Sequence, residues 1–401
     1  MQILDFRFEP VVRISIIIVS YNVKYFLEQC LCSVMKGIDE SSTTGSQWEV
    51  EVFVIDNNSA DGSIEYLENR FPSVHFIANK ENAGFAKANN QALKVAKGEY
   101  ILFLNPDTIL PEDFLLRCIQ FMEANPDVGA TGVRMIDGSG KFLRESKRGF
   151  PTSWASFCKL FGLTSMFPKS KVFAQYYLGH IDENTNHEVE ALSGACMLVR
   201  REAIEKTGGF DERFFMYAED IDLSYQISQL GYKNFYLADL TIIHFKGEST
   251  RKDSQYVRLF YSAMTRFVDK HYTDSRGRVY VQFLKLAIWS RALLSFGTIR
   301  LEKNAGQPAN PRTFFFIGDN GSIEEVKSKN LARGILARDA AQADDIILCE
   351  GKHFSFKEMI DGMKQAPHRN YRIHSAGSSG IAGSEPVNNP YHRRLPGRRT
   401  S

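Results

Sequence analysis

The first 105 residues alternate between apolar, β-branched runs and helical stretches, and this alternation constrains the fold more than any other feature. Continuous apolar strands are typical of a parallel sheet covered on both faces, because a half-exposed strand alternates apolar and polar residues. The predicted strands are 14–20, 50–55, 74–78 and 100–104, and the predicted helices are 25–35, 63–70 and 84–97. We therefore expect an α/β domain with a mostly parallel central sheet, whose ligands bind beyond the carboxyl ends of the strands.

Composition divides the rest of the chain, and 401 residues predict two or three domains. Residues 134–189 are rich in Gly, Ser, Lys and Phe and predict long loops over the sheet, whereas 191–199 and 234–237 predict strands and 225–230 a helix. Strands at 313–317, 345–349 and 371–374, with helices between them, predict a second, small βαβαβ unit. The predicted divisions are 1–275 for the first domain, 276–300 for an apolar helix, 301–312 for a linker, 313–376 for the small unit and 377–401 for a basic, disordered tail.

An 18-residue apolar run at 279–296 contains Gln282, Lys285 and Arg291. Two charges at about 2.5–3.5 kcal/mol each disfavour a helix that spans a membrane. Two readings stay open for this run. One is a helix lying in the membrane interface, and the other is a helix packed on the first domain.

The charge and cysteine content exclude several functional classes. A formal net charge of +2 provides no strong overall field for nucleic acid. The six cysteines are scattered and show no metal-ligand spacing, which predicts reduced thiols in a cytoplasmic protein, and the N-terminus does not resemble a signal peptide.

Polar residues follow two of the predicted strands and form the first candidate cluster. Ser20, Tyr21 and Asn22 end the first strand, and residues 56–63 (DNNSADGS), which include Asp56 and Asn58, follow the second. A carboxylate at a strand end can accept hydrogen bonds from a nucleobase or a ribose. The cluster is also compatible with a plain Asx turn in which Asp61 caps the next helix.

Two further clusters follow the next strands. Asn82, Gly84 and Phe85 open a helix that carries Asn89, and small residues there bring backbone N–H groups near an anion or simply form an N-cap. Asn105 and Asp107 come after the fourth strand, where one carboxylate can hold Mg²⁺ or Mn²⁺ together with substrate phosphates, or where the segment is only a turn.

The last two clusters are acidic and basic. Glu219, Asp220 and Asp222 follow the aromatic run 214–217, and their surroundings favour the raised pKa of a general base, although acids also suit the first turn of a helix. His244 and Lys246 follow an apolar strand and are candidates for a metal ligand and a phosphate contact, or for structural roles.

In this order, the five clusters resemble family 2 glycosyltransferases with a GT-A fold, above all their rhamnosyltransferase branch. The resemblance covers residues 13–250. It is carried by residues 19–22, 56–63, 82–85, 105–108, 193–196, 208–212, 217–222 and 244–249.

The resemblance implies an inverting transfer of a sugar from a nucleotide-diphosphate donor, either dTDP-rhamnose-like or a UDP-sugar. Asp220 would be the base, and Glu219 and Asp222 would shape the site. Asp107, and more loosely His244, would bind Mg²⁺ or Mn²⁺, with Asn105 in place of the first acid of the usual D-x-D. The implied donor-binding residues are Ser20, Tyr21, Asn22, Asp56, Asn58, Asn82, Gly84, Phe85, Asn89, Asn105 and Lys246.

The implied acceptor is a hydroxyl of a glycan or of a polyprenyl-linked oligosaccharide in cell-surface polysaccharide biosynthesis, and the implied location is the cytoplasm, with peripheral contact at the inner face of its membrane. A processive synthase would carry several transmembrane helices and a Q-x-x-R-W run, and a nucleotidyltransferase a Gly-rich loop after the first strand; the sequence predicts none of these. The alternative is a nucleotide-sugar-binding regulatory protein built around the small unit. Because residues 318–321 lack G-x-G-x-x-G, we expect no dinucleotide in that unit.

Overall fold

The computed structural model describes residues 11–43, 48–246, 254–271, 282 and 312–383. Within these ranges the chain forms two sheets, one of nine strands and one of five. The predicted helix at 279–296 and most of the predicted linker lie outside the described residues.

The nine-stranded sheet has the order β3-β2-β1-β4-β8-β6-β9-β5, with β7 paired to β9. Its strands are β1 (Val11–Ser20), β2 (Trp48–Asp56), β3 (Val74–Ala78), β4 (Tyr100–Leu104), β5 (Thr108–Ile109), β6 (Val128–Ile136), β7 (His187–Val189), β8 (Cys196–Arg200) and β9 (Lys233–His244). The first four strands are parallel, whereas β8 runs antiparallel to β4 and β6, and β5 and β7 run antiparallel to β9. The predicted α/β sheet is therefore present.

Both faces of this sheet are covered, which explains the continuous apolar strands. In β1, Ile16 and Ile18 pack into a cluster with α1 and α4, while Ile17 packs into a cluster on the other face with α3, α7 and α8. The helices are α1 (Lys24–Thr43), α2 (Ser63–Glu68), α3 (Phe85–Leu93), α4 (Phe114–Ala124), α5 (Ser153–Leu160), α6 (Leu163–Met166), α7 (Arg201–Thr207), α8 (Glu219–Gln229) and α9 (Ser254–His271).

The region predicted as loops over the sheet is only partly irregular. Strand β6 reaches into it, and α5, α6 and β7 lie within it. The predicted strand at 191–199 begins only at Cys196, and the short strand predicted at 234–237 continues to His244. Two glycines, a threonine and an arginine interrupt the apolar pattern of β6, yet all nine of its residues are buried because β8 and β9 flank it.

The five-stranded sheet has the order β11-β10-β12-β13-β14. Its elements are β10 (Thr313–Gly318), α10 (Asn320–Ser328), β11 (Ile335–Leu336), β12 (Asp345–Cys349), α11 (Phe356–Gln365), β13 (Tyr371–His374) and β14 (Ala382–Gly383). The three long strands lie where the sequence predicts them. The unit continues past the predicted end at residue 376, because β14 pairs antiparallel with β13, and residues 377–383 are ordered structure and not part of a tail.

The two sheets share a core, so the second unit is built onto the first. Ile109, Ile136 and Ile243 pack in one cluster with Leu348 and Phe356. Polar contacts add to this junction: the Gln29 side chain accepts from the Ser375 N–H at 2.8 Å, and the Tyr371 N–H donates to the Gly138 carbonyl at 3.0 Å.

Glu112 of the first unit caps helix α11 of the second. Its carboxylate accepts from the N–H groups of Phe356 at 2.7 Å and Lys357 at 3.0 Å. Because two helix N–H donors and the positive end of the helix dipole lose their anion, we expect Glu112→Ala to lower the free energy of unfolding by about 1–3 kcal/mol in urea denaturation. Glu324→Ala is the control, since the 72% exposed Glu324 pairs only with Lys327 among the described residues. Equal losses in both variants would contradict the capping role.

Two smaller expectations concern cysteines and membrane spans. All six cysteines are free, as predicted. Within the described ranges, no helix combines the length and the apolar character needed to cross a bilayer.

Candidate active site

The carboxyl ends of β1, β2 and β4 lie side by side. Ser20 is opposite Asp56 in the parallel register, and Ile18 is opposite Leu104. Neighbouring strands are about 4.8 Å apart, so the polar residues after these strands gather at one edge of the sheet. This edge is where the topology of an open α/β sheet favours a ligand.

Asp56 has one free oxygen in a buried position. Its Oδ2 accepts from the Ser59 N–H at 2.8 Å, while Oδ1 is buried and lacks a hydrogen-bond partner among the described residues. The side chain is 3% exposed. A buried carboxylate oxygen without a donor costs about 1–3 kcal/mol, which is a reason to look for a ligand donor at this point.

Asn22 ties the two strand ends together. Its Oδ1 accepts from the Ala60 N–H at 2.7 Å, and its own N–H donates to the Ser59 hydroxyl at 2.9 Å. Asn22 and Asn58 both have left-handed backbone, at φ 55° and 65°, which asparagine tolerates better than most residues. Tyr21 beside them is 38% exposed, so its ring is available to a ligand.

Asp61 lies one residue before the N-cap of α2, so the prediction that Asp61 is itself the N-cap residue is wrong. Gly62, with φ 73°, occupies the N-cap position of α2, and as a glycine it has no side chain to cap the helix. Asp61 instead accepts from the Lys24 N–H, at the start of α1, and from the Ser63 N–H, at the start of α2. It therefore holds the first turns of two helices together.

Gly84 is required at the start of α3 by close packing. Its φ is 82°, and a Cβ there would lie 2.7 Å from the Phe215 carbonyl oxygen. That same carbonyl accepts from the Phe85 N–H at 2.9 Å, and Asn82 accepts from the Gly84 N–H at 3.0 Å. Two of the N–H groups expected to face an anion are thus already bonded within the protein, which weakens the predicted anion site at this helix.

Buried and partly buried asparagine side chains bond to the backbone at the start of α3 and to one another. Asn89 is 1% exposed and donates to the Phe85 carbonyl, and its own Oδ1 lacks a partner among the described residues. Asn57 donates to the Gly84 carbonyl at 3.2 Å and accepts from Asn79 at 3.0 Å. Asn57 was not singled out from the sequence, although it directly follows Asp56.

Asp107 and His244 face each other at the end of β4. His244 Nε2 lies 3.4 Å from Asp107 Oδ1, and Asn105 Nδ2 lies 3.4 Å from the same ring nitrogen. The side chains of Asp107 and His244 are 6% and 8% exposed. Strand β5 positions them, because Thr108 pairs with His244 in its antiparallel register with β9.

Lys246 is engaged by a neighbouring acid. Its ammonium group pairs with Glu145. Partial burial would raise the pKa of the Glu145 carboxyl, but this pairing holds it below its ordinary value. The predicted phosphate contact would have to compete with Glu145.

Asp220 is held by three donors at the start of α8. Its Oδ2 accepts from the Gly194 N–H at 2.9 Å and from the Arg148 guanidinium, and its Oδ1 accepts from the Ile221 N–H at 2.8 Å. Arg148 is largely buried, which by itself lowers its pKa, but the charge of Asp220 outweighs this effect and raises the pKa above the ordinary value. Arg148 was missed in the sequence because it stands in a segment predicted as irregular loop, with no periodic pattern around it.

Glu219 lies beside Asp220, and its surroundings raise the pKa of its carboxyl group. Burial and then the charge of Asp220 raise the pKa of Glu219 to about 8. Its Oε2 is buried without a hydrogen-bond partner among the described residues. The two adjacent carboxyl groups therefore differ in their contacts: Asp220 is bonded to Arg148 and two backbone N–H groups, whereas Glu219 favours the protonated form at neutral pH.

The raised pKa of Glu219 predicts a pH dependence of stability. The unfolded chain loses this proton near the ordinary value of 4.5, but the native state keeps it to about 8. The native state therefore binds more protons in this window, so stability falls as the pH rises from 4.5 to 8. We expect Glu219→Gln to remove that part of the slope in urea denaturation at successive pH values. Parallel pH profiles for wild type and Glu219→Gln would show that Glu219 ionises normally.

Asp222 contacts a different part of the protein from its two neighbours. It is fully buried and accepts from Lys270 at 2.8 Å and Gln226 at 2.7 Å, and it lies 2.6 Å from His271. Lys270 and His271 end α9, so this acid joins α8 to α9. The described contacts support a structural role for Asp222, and its predicted role in shaping the site stays a prediction.

Short backbone bridges connect the clusters. Gly194 donates to Asp220, and the next residue, Ala195, accepts from the Asn105 N–H at 2.9 Å. The carboxylate pair (Glu219 and Asp220) is thus joined through two consecutive residues to the segment that carries Asp107. The pair also follows Tyr217 and Ala218, which have φ values of 70° and 63°. Two consecutive left-handed residues other than glycine indicate backbone strain of the kind that clusters at functional sites.

Comparisons with known proteins place part of the chain among glycosyltransferases. A sequence profile described as Glycosyl transferase family 2 matches residues 15–208. The chain is 27% identical over 251 residues to N-acetylglucosaminyl-diphospho-decaprenol L-rhamnosyltransferase of Mycobacterium tuberculosis, covering 60% of this chain and 78% of that protein. It is 30% identical over 178 residues to the rhamnosyltransferase WbbL of Escherichia coli, covering 42% and 63%.

Among solved structures, the chain is similar to the mannosyltransferase PcManGT from Pyrobaculum calidifontis in complex with GDP-Man and Mn²⁺. The TM-score is 0.44 at 18% identity, over 74% of this chain and 77% of that one. The sequence profile and the sequence relatives together show that residues 15–208 form a glycosyltransferase family 2 domain.

Proposed function

We propose that the enzyme transfers a hexosyl group, with inversion, from a nucleoside-diphosphate sugar to a hydroxyl of a polyprenyl-linked glycan in cell-surface polysaccharide synthesis. The observation that carries this proposal is the buried carboxylate pair, joined through residues 194–195 to the segment of Asp107. The names of the two relatives favour a rhamnosyl donor such as dTDP-rhamnose over a UDP-sugar, and the decaprenol-linked substrate in the first name favours a lipid-linked acceptor.

In the proposed reaction, the acceptor oxygen bonds to the anomeric carbon on the face opposite the nucleotide. The bond from that carbon to the diphosphate oxygen breaks, and its electron pair leaves with the nucleoside diphosphate. The acceptor hydroxyl gives its proton to Asp220, whose Oδ1 accepts only one hydrogen bond, from a backbone N–H, among the described residues. Positioned base catalysis contributes about 10²–10⁴-fold.

Donor recognition is assigned to the first sheet edge. The free Oδ1 of Asp56 is a suitable acceptor for an N–H of the base or a hydroxyl of the ribose. Tyr21 is exposed beside it and offers a ring to the base. Asn22 and Asn58 shape this edge of the sheet through their left-handed backbone.

The residues at the end of β4 fit a divalent cation that the substrate helps to bind. Asp107 Oδ1 and His244 Nε2 lie 3.4 Å apart, a spacing at which both atoms can ligate one ion. Within the described residues no cluster of three or more His, Cys, Asp or Glu could hold a metal, so the protein offers few ligands of its own. Mg²⁺ or Mn²⁺ bound with a diphosphate commonly uses one or two carboxylates. When bound, such an ion would neutralise charge on the leaving diphosphate.

Thermal shift with a panel of nucleotide sugars, each with and without Mn²⁺, tests the donor part of this proposal. We expect a dTDP- or UDP-linked sugar to raise the melting temperature, and more so with Mn²⁺. No stabilisation by any donor would contradict nucleotide-sugar binding. Stabilisation without transfer to any lipid-linked acceptor would favour the alternative of a regulatory protein that only binds the donor.

The second unit is proposed to support the first domain structurally. Its core is continuous with β5 and with the end of β9. Strand β5 directly follows Asp107, and β9 ends at His244. A freely moving sensor module would not share buried side chains with the strands of the site.

A further inference from the structure

Segment 153–173 exposes a group of large apolar side chains. Among the described residues, six of the thirteen exposed large apolar side chains fall here. They are Trp154 (41% exposed), Phe157 (38%), Phe161 (55%), Met166 (69%), Phe167 (46%) and Val172 (52%). We name these six residues the aromatic patch. Contiguous exposed apolar surface on this scale marks an interaction site more often than chance exposure does.

Helix α5 exposes its large apolar side chains and buries its small ones, the reverse of an ordinary surface helix. It buries the small residues Ala155 and Cys158, at 1% and 0% exposure, and presents Trp154 and Phe157 to the outside. A surface helix that only covers a core turns its large apolar side chains inward. The outward rings are therefore available for a contact beyond the described residues.

The rings are held in place before any partner binds. Trp154 Nε1–H donates to the Val172 carbonyl at 2.8 Å, and the Trp154 ring stacks on Phe157 with centroids 5.6 Å apart. Phe157 in turn contacts Phe161 at 4.6 Å. Pre-ordered rings lose little conformational entropy when they are buried in a partner.

The charged side chains of the segment that carries the patch have one sign. Between Glu145 and Asp182 the sequence contains no aspartate or glutamate. Lys169 and Lys171 within this stretch are exposed and make no ion pair within the part of the chain that the structure describes. Exposed aromatic rings flanked by lysines and free of acids complement an anionic lipid surface, where rings lie at the level of the headgroups.

We infer that the aromatic patch docks the enzyme on an anionic phospholipid bilayer, with Lys169 and Lys171 facing the headgroups. This contact needs no spanning helix. It is also independent of the apolar run at 279–296.

The patch is connected to the carboxylate pair through the interior of the same segment. The Lys159 ammonium, on α5, lies 3.5 Å from the centre of the Tyr176 ring. Tyr176 is buried close to Arg148, which pairs with Asp220. If the acceptor is lipid-linked, as in the proposed function on which this step rests, docking here would bring the acceptor hydroxyl to the base from the membrane side.

The first test is cosedimentation of the full chain with phosphatidylcholine vesicles that contain or lack phosphatidylglycerol. We expect binding to the anionic vesicles that weakens with salt, because surface charge is screened. We also expect a blue shift of tryptophan emission that is absent in Trp154→Phe. Failure of the wild type to bind anionic vesicles would overturn the inference.

Paired variants locate the contact. We expect Phe157→Ser with Phe161→Ser to lower the partition coefficient about 100-fold, at about tenfold for each ring. Lys169→Gln with Lys171→Gln should lower it about 25-fold on anionic vesicles only, at about fivefold for each lysine. The control is Ile335→Ser with Leu336→Ser, which removes apolar side chains of similar exposure, 55% and 56%, from the second unit.

Three results would overturn the inference in favour of another occupant. Unchanged vesicle binding in both patch variants would place the contact in residues outside the patch. A change from dimer to monomer in the ring variant would assign the patch to a second copy of the chain. Loss of transfer to a water-soluble acceptor in the ring variant would assign it to the acceptor site. Because vesicle binding is read without any turnover, its failure is distinguishable from failure of the proposed transferase function.

Discussion

The Asp220→Asn enzyme is expected to bind the donor with little change and to lose transfer by about 10²–10⁴-fold. The amide has nearly the shape of the carboxylate, and its single oxygen can still accept from one of the two N–H groups, that of Gly194 or that of Ile221. It cannot take the proton of the acceptor. The measurements are kcat with a lipid-linked acceptor and the donor Kd by calorimetry.

Glu219→Gln is the matched variant for this experiment, because the two acids are adjacent and only one can be the base. If Asp220 is the base, Glu219→Gln retains most of the turnover. Should Glu219→Gln abolish transfer while Asp220→Asn keeps it, the roles are exchanged, and the rising limb of the wild-type pH–rate profile would then lie near the Glu219 pKa of about 8.

Folding must be checked in Asp220→Asn, since the variant leaves the buried Arg148 without its anionic partner. Breaking a buried ion pair from one side costs about 3–5 kcal/mol of stability. A urea transition that remains cooperative, together with an unchanged donor Kd, separates a catalytic loss from unfolding.

Asp107→Asn is expected to lower transfer by about 10²–10³-fold and to abolish the extra stabilisation of the donor complex by Mn²⁺. The physical reason is that Asp107 is the one carboxylate beside His244 and Asn105 among the described contacts, so the variant has no anionic ligand there. The measurements are kcat and the thermal shift of the donor complex with and without Mn²⁺.

Asp361→Asn is the control for this second variant. Asp361 is 50% exposed and pairs with Lys364 on α11, far in sequence from the strand ends. Its replacement should change neither turnover nor the Mn²⁺ effect. If Mn²⁺ stabilises the Asp107→Asn donor complex as strongly as that of the wild type, the ion is bound by other groups.

The sequence predicts the parallel half of the first sheet well, because β1, β2 and β4 are buried on both faces and their apolar pattern is local. It predicts β6 poorly. The run Val128–Ile136 contains Gly129, Gly132 and Arg134, and only its flanking strands β8 and β9 make it a central strand. Strand pairing between distant segments overrides a weak local pattern.

The same distinction holds for the site. Asp56, Asp107 and the carboxylate pair could be selected from the sequence because each follows a recognisable strand or opens a helix. Their partners could not. Arg148 is 72 residues from Asp220, and Gly194 is 26 residues from it, so neither contact leaves a trace in local spacing. Asp222 is an acid in the same first turn of α8 as Asp220, yet its burial against α9 gives it different contacts.

The sequence by itself determined the family, the α/β class and the strand ends where polar side chains collect, because these depend on short motifs and on periodicity. Only the tertiary structure decided which acid is paired with a guanidinium, which carboxyl keeps its proton and which side chains of segment 153–173 face outward. Ionisation and exposure depend on what packs around a side chain, and that environment is assembled from segments far apart in the chain.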